Sequence, residues 1–519
     1  MLETVFLILM SVFFVAFTAM QTLYFVHMLQ LNSYRSERYD AWCHQNRKQL
    51  LAPKRWLGLL GLPFLFLPSA TAIYGAAAGV FLLGTLCNIP KKAKKPLVVT
   101  ARVKRLFATL WSLLVLIAAV CFWFGRFSAV AFTAMLCVFS VLPFGYTALA
   151  NTINGPMENA IANGYVKDAA RILSEMPQLT VIGITGSYGK TTTKNYLHAL
   201  LSARYNVLMT PESYNTTMGV VRTIRERLKP SHQIFIAEMG AKNVGDIKEI
   251  CDLVSPRYGM ITAVGEQHLE TFGTVEAIAN TKFELVDALP QDGVAFLNAD
   301  NAVIRERLAS VTVPTVTYGT AEGQYVASDM HFDRQGCRFT VTAPNGEQCA
   351  FTTKLLGGHN IQNLTGCIAV AHTLGIPFKE LVYPVRMLRP VPHRLQMLPN
   401  GYIDDAYNSN PAGFRSALDT LKQFEGQRVL VTPGMVELGE QQEALNCELG
   451  AHAAACCDYA VLVGLKQAPP LKEGLLSAGF PENRIFVAAT LTEGLAFVNN
   501  LPHEGPRTVL LENDLPDNF

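Results

Sequence analysis

Residues 181–193 read Val-Ile-Gly-Ile-Thr-Gly-Ser-Tyr-Gly-Lys-Thr-Thr-Thr. The apolar start reads as a strand, the glycines as a tight loop, and the residues from Lys190 onward as a helix. Gly186 and Gly189 let the backbone turn sharply and aim its N–H groups at one point, where the helix N-terminus adds positive dipole. A triphosphate fits that point. Gly186, Ser187, Gly189, Lys190, Thr191 and Thr192 would cradle it, with Lys190 along the β- and γ-phosphates and the Thr191 hydroxyl on a Mg²⁺ ion, which prefers oxygen ligands. The usual phosphate-loop pattern has glycine five residues before Gly189, where this chain has Ile184, so the fitting form is the shorter Thr-Gly-x-x-Gly-Lys-Thr-Thr. Such a loop can also join a strand to a helix and bind nothing. Strand, loop, Lys-Thr and helix together favour the nucleotide reading.

Outward from this stretch, the 519 residues divide by composition. Half are hydrophobic and the mean hydropathy is +0.22, high for a soluble protein. The excess sits before residue 150. Residues 5–28 are apolar almost throughout and exceed the roughly 20 residues a spanning helix needs. Basic residues crowd positions 35–55 and 91–105, which places both segments on the cytoplasmic side. The run 56–89 must then leave and return, as two short spans or a re-entrant hairpin, and runs 106–124 and 128–149 add two more. The expectation is about five spans, the N-terminus outside, and everything after residue 151 in the cytoplasm. No span carries the several charges an ion path needs. The net charge of +2 offers no case for nucleic acid. Eleven scattered cysteines without a Cys-x-x-Cys argue against a zinc ribbon or a disulfide framework and fit a reducing compartment.

Toward the C-terminus, residues 151–178 are too short for a domain and hold one helix near 166–173. Strand and helix patterns then alternate: strands at 233–237, 258–264 and 294–297, and a helix at 275–289, as in a parallel sheet covered by helices. Near 330–355 the period changes to two, with Asn345-Gly346 as a hairpin signal. A second alternating series begins at Tyr402. The expected architecture is an α-helical membrane domain (1–150) and a linker helix (151–178), followed by α/β structure. A P-loop central ATPase domain with a parallel sheet (179–388) precedes a Rossmann-like α/β C-terminal domain (389–519).

Ligands bind at strand carboxyl ends in open α/β sheets. Glu238, in Ala-Glu-Met-Gly-Ala, and His268, in Gln-His-Leu-Glu-Thr-Phe-Gly, end two such strands and suit metal binding. Lys282, in Thr-Lys-Phe-Glu-Leu, reads equally well as a solvated helix lysine. The clusters Gly-Gly-His-Asn (357–360) with Asn363, and Asp-Asp-Ala-Tyr-Asn-Ser-Asn-Pro (404–411), suit either a site or turn chemistry.

In order and number, these motifs together with Leu-Asn-Ala-Asp (297–300) and Pro-His-Arg-Leu-Gln (392–396) resemble the Mur ligase family over about residues 179–515. The resemblance implies an ATP-dependent ligase of peptidoglycan precursor synthesis that works through an acyl phosphate. Lys190 and Thr191 would bind ATP and Mg²⁺, and Glu238 and His268 the metal. Lys282 matches the lysine that becomes carbamylated and holds a second Mg²⁺. Asn298, His359, Asn360 and Asn363 would contact nucleotide, and Arg394 and Asp405 would reach it from a last domain that closes over the site. The implied partners are a muramoyl-peptide acceptor, UDP-linked or lipid-linked, an amine donor such as D-alanyl-D-alanine or an amino acid, and the lipid bilayer. The chain departs from the family twice: membrane spans stand where soluble members carry a UDP-sugar domain, and Leu-Glu-Asn-Asp-Leu-Pro (511–516) replaces a Lys-Gly-Ser-Arg turn. Two other readings are a ligase of another polymer, of the poly-γ-glutamate type, and an ATP-driven transporter or scaffold.

Overall fold

The computed structural model describes residues 1–90, 96–125, 128–265, 272–406, 410–436, 438, 441–464 and 468–513. The chain forms two compact units, Met1–Tyr165 and Val166–Phe519.

In the first unit, α1 (Leu2–Leu31), α2 (Ala70–Cys87) and α3 (Ala101–Gly125) carry the long apolar runs. Phe14 and Phe17 of α1 pack on Phe81 of α2, burying the apolar faces that these runs provide. Among the described residues three helices are long and apolar enough to cross a membrane, or four if the bent pair α4 (Ala129–Phe139) and α5 (Pro143–Ser174) counts as one span. About five were expected. The difference lies in residues 56–89, where Leu57–Phe66 forms a ten-residue 3-10 segment beside a single long helix. At about 2.0 Å per residue, that segment is too short to span. The helix expected at 166–173 is the end of the 32-residue α5, whose Glu158 holds Arg105 of α3 through bonds of 2.7 and 2.8 Å.

The second unit begins with a nine-stranded sheet in the order β2-β3-β1-β4-β5-β6-β7-β8-β9. Its strands are β1 (Thr180–Thr185), β2 (Val207–Met209), β3 (Ile234–Glu238), β4 (Tyr258–Ile261), β5 (Val294–Asn298), β6 (Thr315–Gly319), β7 (Tyr325–Asp333), β8 (Gly336–Thr342) and β9 (Gln348–Thr353). Pairing is parallel from β2 across to β7 and antiparallel from β7 to β9. The antiparallel edge is the segment with the period of two, and Gly346, at φ +84°, makes its turn. Helices cover both faces, so β1 and β3 are buried on either side and read as continuous apolar runs. Because β1 lies between β3 and β4, the loops that follow these three strands meet at one edge of the sheet. The helices concerned are α6 (Lys190–Leu201), α7 (Thr217–Arg227), α8 (Val275–Asp287) and α9 (Gly358–Thr373).

A six-stranded sheet follows in the order β10-β11-β15-β12-β13-β14. It comprises β10 (Gln396–Met397), β11 (Tyr402–Asp405), β12 (Gln427–Thr432), β13 (Tyr459–Val463), β14 (Ile485–Ala488) and β15 (Arg507–Glu512). It is parallel except for β10. Helix α10 (Pro411–Lys422) starts after β11, with Asn410 accepting from Gly413 N–H at 2.9 Å and Pro411 in the first turn, a strong start signal. It packs beside α11 (Gln442–Ala453).

Candidate active site

The loop after β1 is fixed by contacts that only glycine permits. Gly186 lies at φ +148°, and a Cβ there would stand 2.1 Å from Thr262 Oγ1. Gly189, at φ +80°, caps α6, and its Cβ would stand 2.8 Å from Asn363 Nδ2, so Asn363 backs the loop from α9. Ser187 ties the loop to the strand β4 exit, donating its N–H to Ala263 O at 2.7 Å and accepting from Gly265 N–H at 3.1 Å. The result is a preformed bend whose following helix points its N-terminus into the cleft.

Lys190 folds back over this bend and donates to Gly186 O at 2.6 Å and Ser187 O at 3.2 Å. Burial lowers its pKa to about 8 against the opposing pull of Glu238, and the Arg394 charge lowers it further. The Thr191 hydroxyl donates to Glu238 Oε1 at 3.0 Å, and Thr192 beside it is buried. Glu238 is itself fully buried at the end of β3. Asn215 donates to the same Oε1 at 3.2 Å, and Lys194 forms an ion pair with Oε2 at 2.8 Å. Both carboxylate oxygens of Glu238 are thus held by protein groups, Oε1 by two neutral donors and Oε2 by a buried ammonium.

Lys282 lies on α8 and is 3% exposed. Burial, then the charge of Lys190, takes its pKa down to about 7. Its amine has no hydrogen bond or ion pair among the described residues. The reading of Lys282 as a solvated helix lysine therefore fails. His268 lies outside the described residues.

The remaining residues fall into two groups. Asn298 donates to Thr262 O at 2.7 Å and accepts from Asp300 N–H, and Asn360 donates to Leu356 O at 2.8 Å and accepts from the Tyr196 hydroxyl at 3.2 Å. Both amides brace the scaffold. His359, Arg394 and Asp405 form a second cluster where α9 meets the last sheet. His359 Nδ1 is 2.7 Å from the Ser416 hydroxyl on α10, and burial followed by the Arg394 charge lowers its pKa to about 4, so the imidazole is neutral near pH 7. Asp405 accepts from Leu395 N–H at 3.0 Å, and burial raises its pKa to about 6.

Sequence reading missed Lys194 and Asn215. Lys194 follows Lys190 by one helical turn and looks like a surface lysine, yet its side chain is fully buried and also donates to Glu212 O. Only the placement of β3 beside β1 reveals its partner. A Thr hydroxyl and a carboxylate are hard oxygen donors that fit Mg²⁺, whereas an amine does not. Lys282 would join that set only after gaining oxygen atoms.

Comparison with known proteins finds relatives over both α/β sheets. Residues 184–371 match the Mur ligase middle domain, and residues 393–511 match the Mur ligase glutamate ligase domain. Similar proteins include the UDP-N-acetylmuramoyl-tripeptide–D-alanyl-D-alanine ligase of Bacillus subtilis, 32% identical over 52% of this chain and 59% of the relative. The ligase of the same name from Escherichia coli is 32% identical over 57% of this chain and 67% of the relative. The chain thus spans about three fifths of the length of these curated relatives. Among solved structures, MurF from Acinetobacter baumannii superposes with a TM-score of 0.60 at 28% identity, covering 68% of this chain and 77% of that one. MurF ligase from Thermotoga maritima in complex with ADP gives 0.59 at 26% identity, covering 68% and 80%.

Proposed function

Because the chain belongs to the Mur ligase family, we propose that it is an ATP-dependent amide ligase that activates a carboxyl group as an acyl phosphate and passes it to an amine. The observation that carries this reading is the convergence of Lys190, Thr191 and Glu238 on the glycine bend, with the depressed amine of Lys282 under the influence of the Lys190 charge.

The acceptor carboxylate must attack the γ-phosphorus of ATP, so two anions meet. The backbone of residues 186–189 and the Lys190 ammonium hold the phosphates, and Lys190 leaves the carbonyls of Gly186 and Ser187 to do so. Thr191 and Glu238 would hold Mg²⁺, with His268 as a further ligand from the family pattern. When bound, the metal supplies charge neutralisation to the transferring phosphoryl group. Lys282, whose pKa of about 7 leaves a sizeable neutral fraction near pH 7, would add to CO₂ as the free amine: an N–C bond forms, a proton leaves to solvent, and the resulting carbamate offers two oxygen ligands. Asn298, His359, Asn360, Asn363, Arg394 and Asp405 would frame the nucleotide, the last two from the C-terminal domain. Closure of that domain would keep water from the acyl phosphate until the amine attacks.

The relatives' names support a muramoyl-peptide acceptor with D-alanyl-D-alanine as amine donor, and a single amino acid is the other donor we propose. The apolar helices suggest membrane anchoring. We place the anchor at 1–150 in the cell membrane, the linker helix at 151–178, and the domains 179–388 and 389–519 in the cytoplasm, with an acceptor that is lipid-linked or delivered at the membrane surface. Incubation of the purified protein with ATP, D-alanyl-D-alanine or single amino acids, and UDP-linked or lipid-linked muramoyl peptides tests this by mass spectrometry of the product. An amide on the lipid-linked acceptor is expected. Turnover of the soluble acceptor alone would reject the lipid-linked assignment, and phosphate release driven by glutamate but not D-alanyl-D-alanine would move the enzyme to another polymer.

A further inference from the structure

A second cluster of ligating side chains lies outside this site, in the C-terminal domain. Asp419 sits on α10, His452 in the last turn of α11, and Cys456 in the turn that follows. His452 and Cys456 are four residues apart, a spacing that sets both on one face of a helical turn. One ligand atom from each of the three side chains lies within 4.8 Å of the others. His452 Nε2 and Asp419 Oδ1 share a hydrogen bond of 2.8 Å at the surface, with side chains 30% and 57% exposed. Cys456 closes the inner side at 1% exposure. Its thiol forms no disulfide, and it has no hydrogen bond among the described residues.

We propose that Asp419, His452 and Cys456 form a three-residue site for a borderline transition-metal cation, Zn²⁺ foremost, with the fourth position open to water. The chemistry of the set selects the class. A thiolate and an imidazole suit Zn²⁺, while Mg²⁺ and Ca²⁺ take oxygen ligands, so this site and the Glu238 site call for different cations. On binding, an S–Zn bond forms, the S–H bond breaks and the thiol proton passes to solvent. To free the His452 Nε2 lone pair, the proton between His452 and Asp419 moves by way of solvent to Nδ1, and the ion takes its place. No electron is transferred. Burial pushes the Cys456 thiol up to about 11, with Asp419 raising it and Lys422 and Arg428 lowering it, and the metal must displace that proton. An ion here cross-links α10 to the turn after α11. Because α10 also carries Ser416, the partner of His359, the cross-link steadies the wall of the nucleotide cluster.

The test uses the full chain, stripped of metal by chelation and titrated with Co²⁺ and then Zn²⁺. One equivalent of Co²⁺ is expected to give a sulfur-to-cobalt charge-transfer band in the near ultraviolet, which Zn²⁺ abolishes. An ion held by oxygen at Glu238 gives no such band. Cys456→Ser and His452→Asn should each remove it, and Cys457→Ser should retain it. Zn²⁺ should raise the unfolding midpoint of the parent chain but not that of His452→Asn, whose partly exposed side chain makes it the deciding variant if Cys456→Ser fails to fold. No band at one equivalent, a band that survives His452→Asn, or one lost with Cys457→Ser would overturn the proposal.

Discussion

Replacement of Lys190 with alanine is expected to lower kcat for amide formation by about 10³-fold or more, at the upper end of what the loss of one preorganised donor costs. The reason is local. In the resting state the ammonium rests on Gly186 O and Ser187 O, both neutral carbonyls, and burial holds its pKa to about 8. A triphosphate replaces those carbonyls with full negative charges, so the interaction strengthens as charge develops on the transferring phosphoryl group. Lys190→Arg should not restore activity, because a planar guanidinium cannot lie in the narrow bend that a flexible ammonium fills. A depressed pKa means that the fold disfavours the charged amine, so Lys190→Ala should leave the unfolding midpoint unchanged or raised. Single-turnover kinetics beside a melting curve separates the two effects. A large fall in the midpoint together with the rate would make Lys190 structural.

Lys282→Ala should cost on the order of 10³-fold, matching several kcal/mol of charge stabilisation from a metal ligand. The carbamate gives this prediction its own signature. Below a pKa of about 7 the Lys282 amine is protonated and cannot attack CO₂, so at fixed dissolved CO₂ the modification and the rate should both fall as pH drops through 7. Stripping CO₂ at constant pH should lower the rate of the parent enzyme and leave the residual rate of Lys282→Ala unchanged. Carbon-13 NMR with labelled CO₂ should show one carbamate carbon in the parent chain and none in the variant. A parent rate indifferent to CO₂ would remove Lys282 from the metal site.

The parts of this site that could be read in the sequence are those where one residue type answers one local demand. Glycine at φ +148° and +80°, followed by Lys-Thr at a helix start, leaves few alternatives, and the β1-loop-α6 unit stands where the pattern placed it. The period of two at β7 to β9 was legible for the same reason. What stayed hidden depends on strand order. Lys194 sits on a helix with the spacing of a solvent-facing lysine, and only the burial of α6 against the sheet removes it from water. Lys282 is open to the same reading from its local sequence and is singled out only by the family resemblance. The carbonyls that Asn298 and Asn360 meet could not be read either, because a buried amide is satisfied by whatever backbone the fold brings to it. Apolar content is readable in residues 57–66 whereas their 3-10 geometry is not, so the described residues hold three or four helices of spanning length where about five spans were expected.

The most direct measurement follows one oxygen atom. Acceptor labelled with ¹⁸O in its reacting carboxylate is incubated with ATP and the amine donor, and the released phosphate is weighed by mass spectrometry. If the carboxylate attacks the γ-phosphorus and the amine then displaces phosphate, each amide formed sends one ¹⁸O into phosphate. Amide formed with unlabelled phosphate, or labelled acceptor returned intact while ATP is hydrolysed, would contradict the acyl-phosphate route.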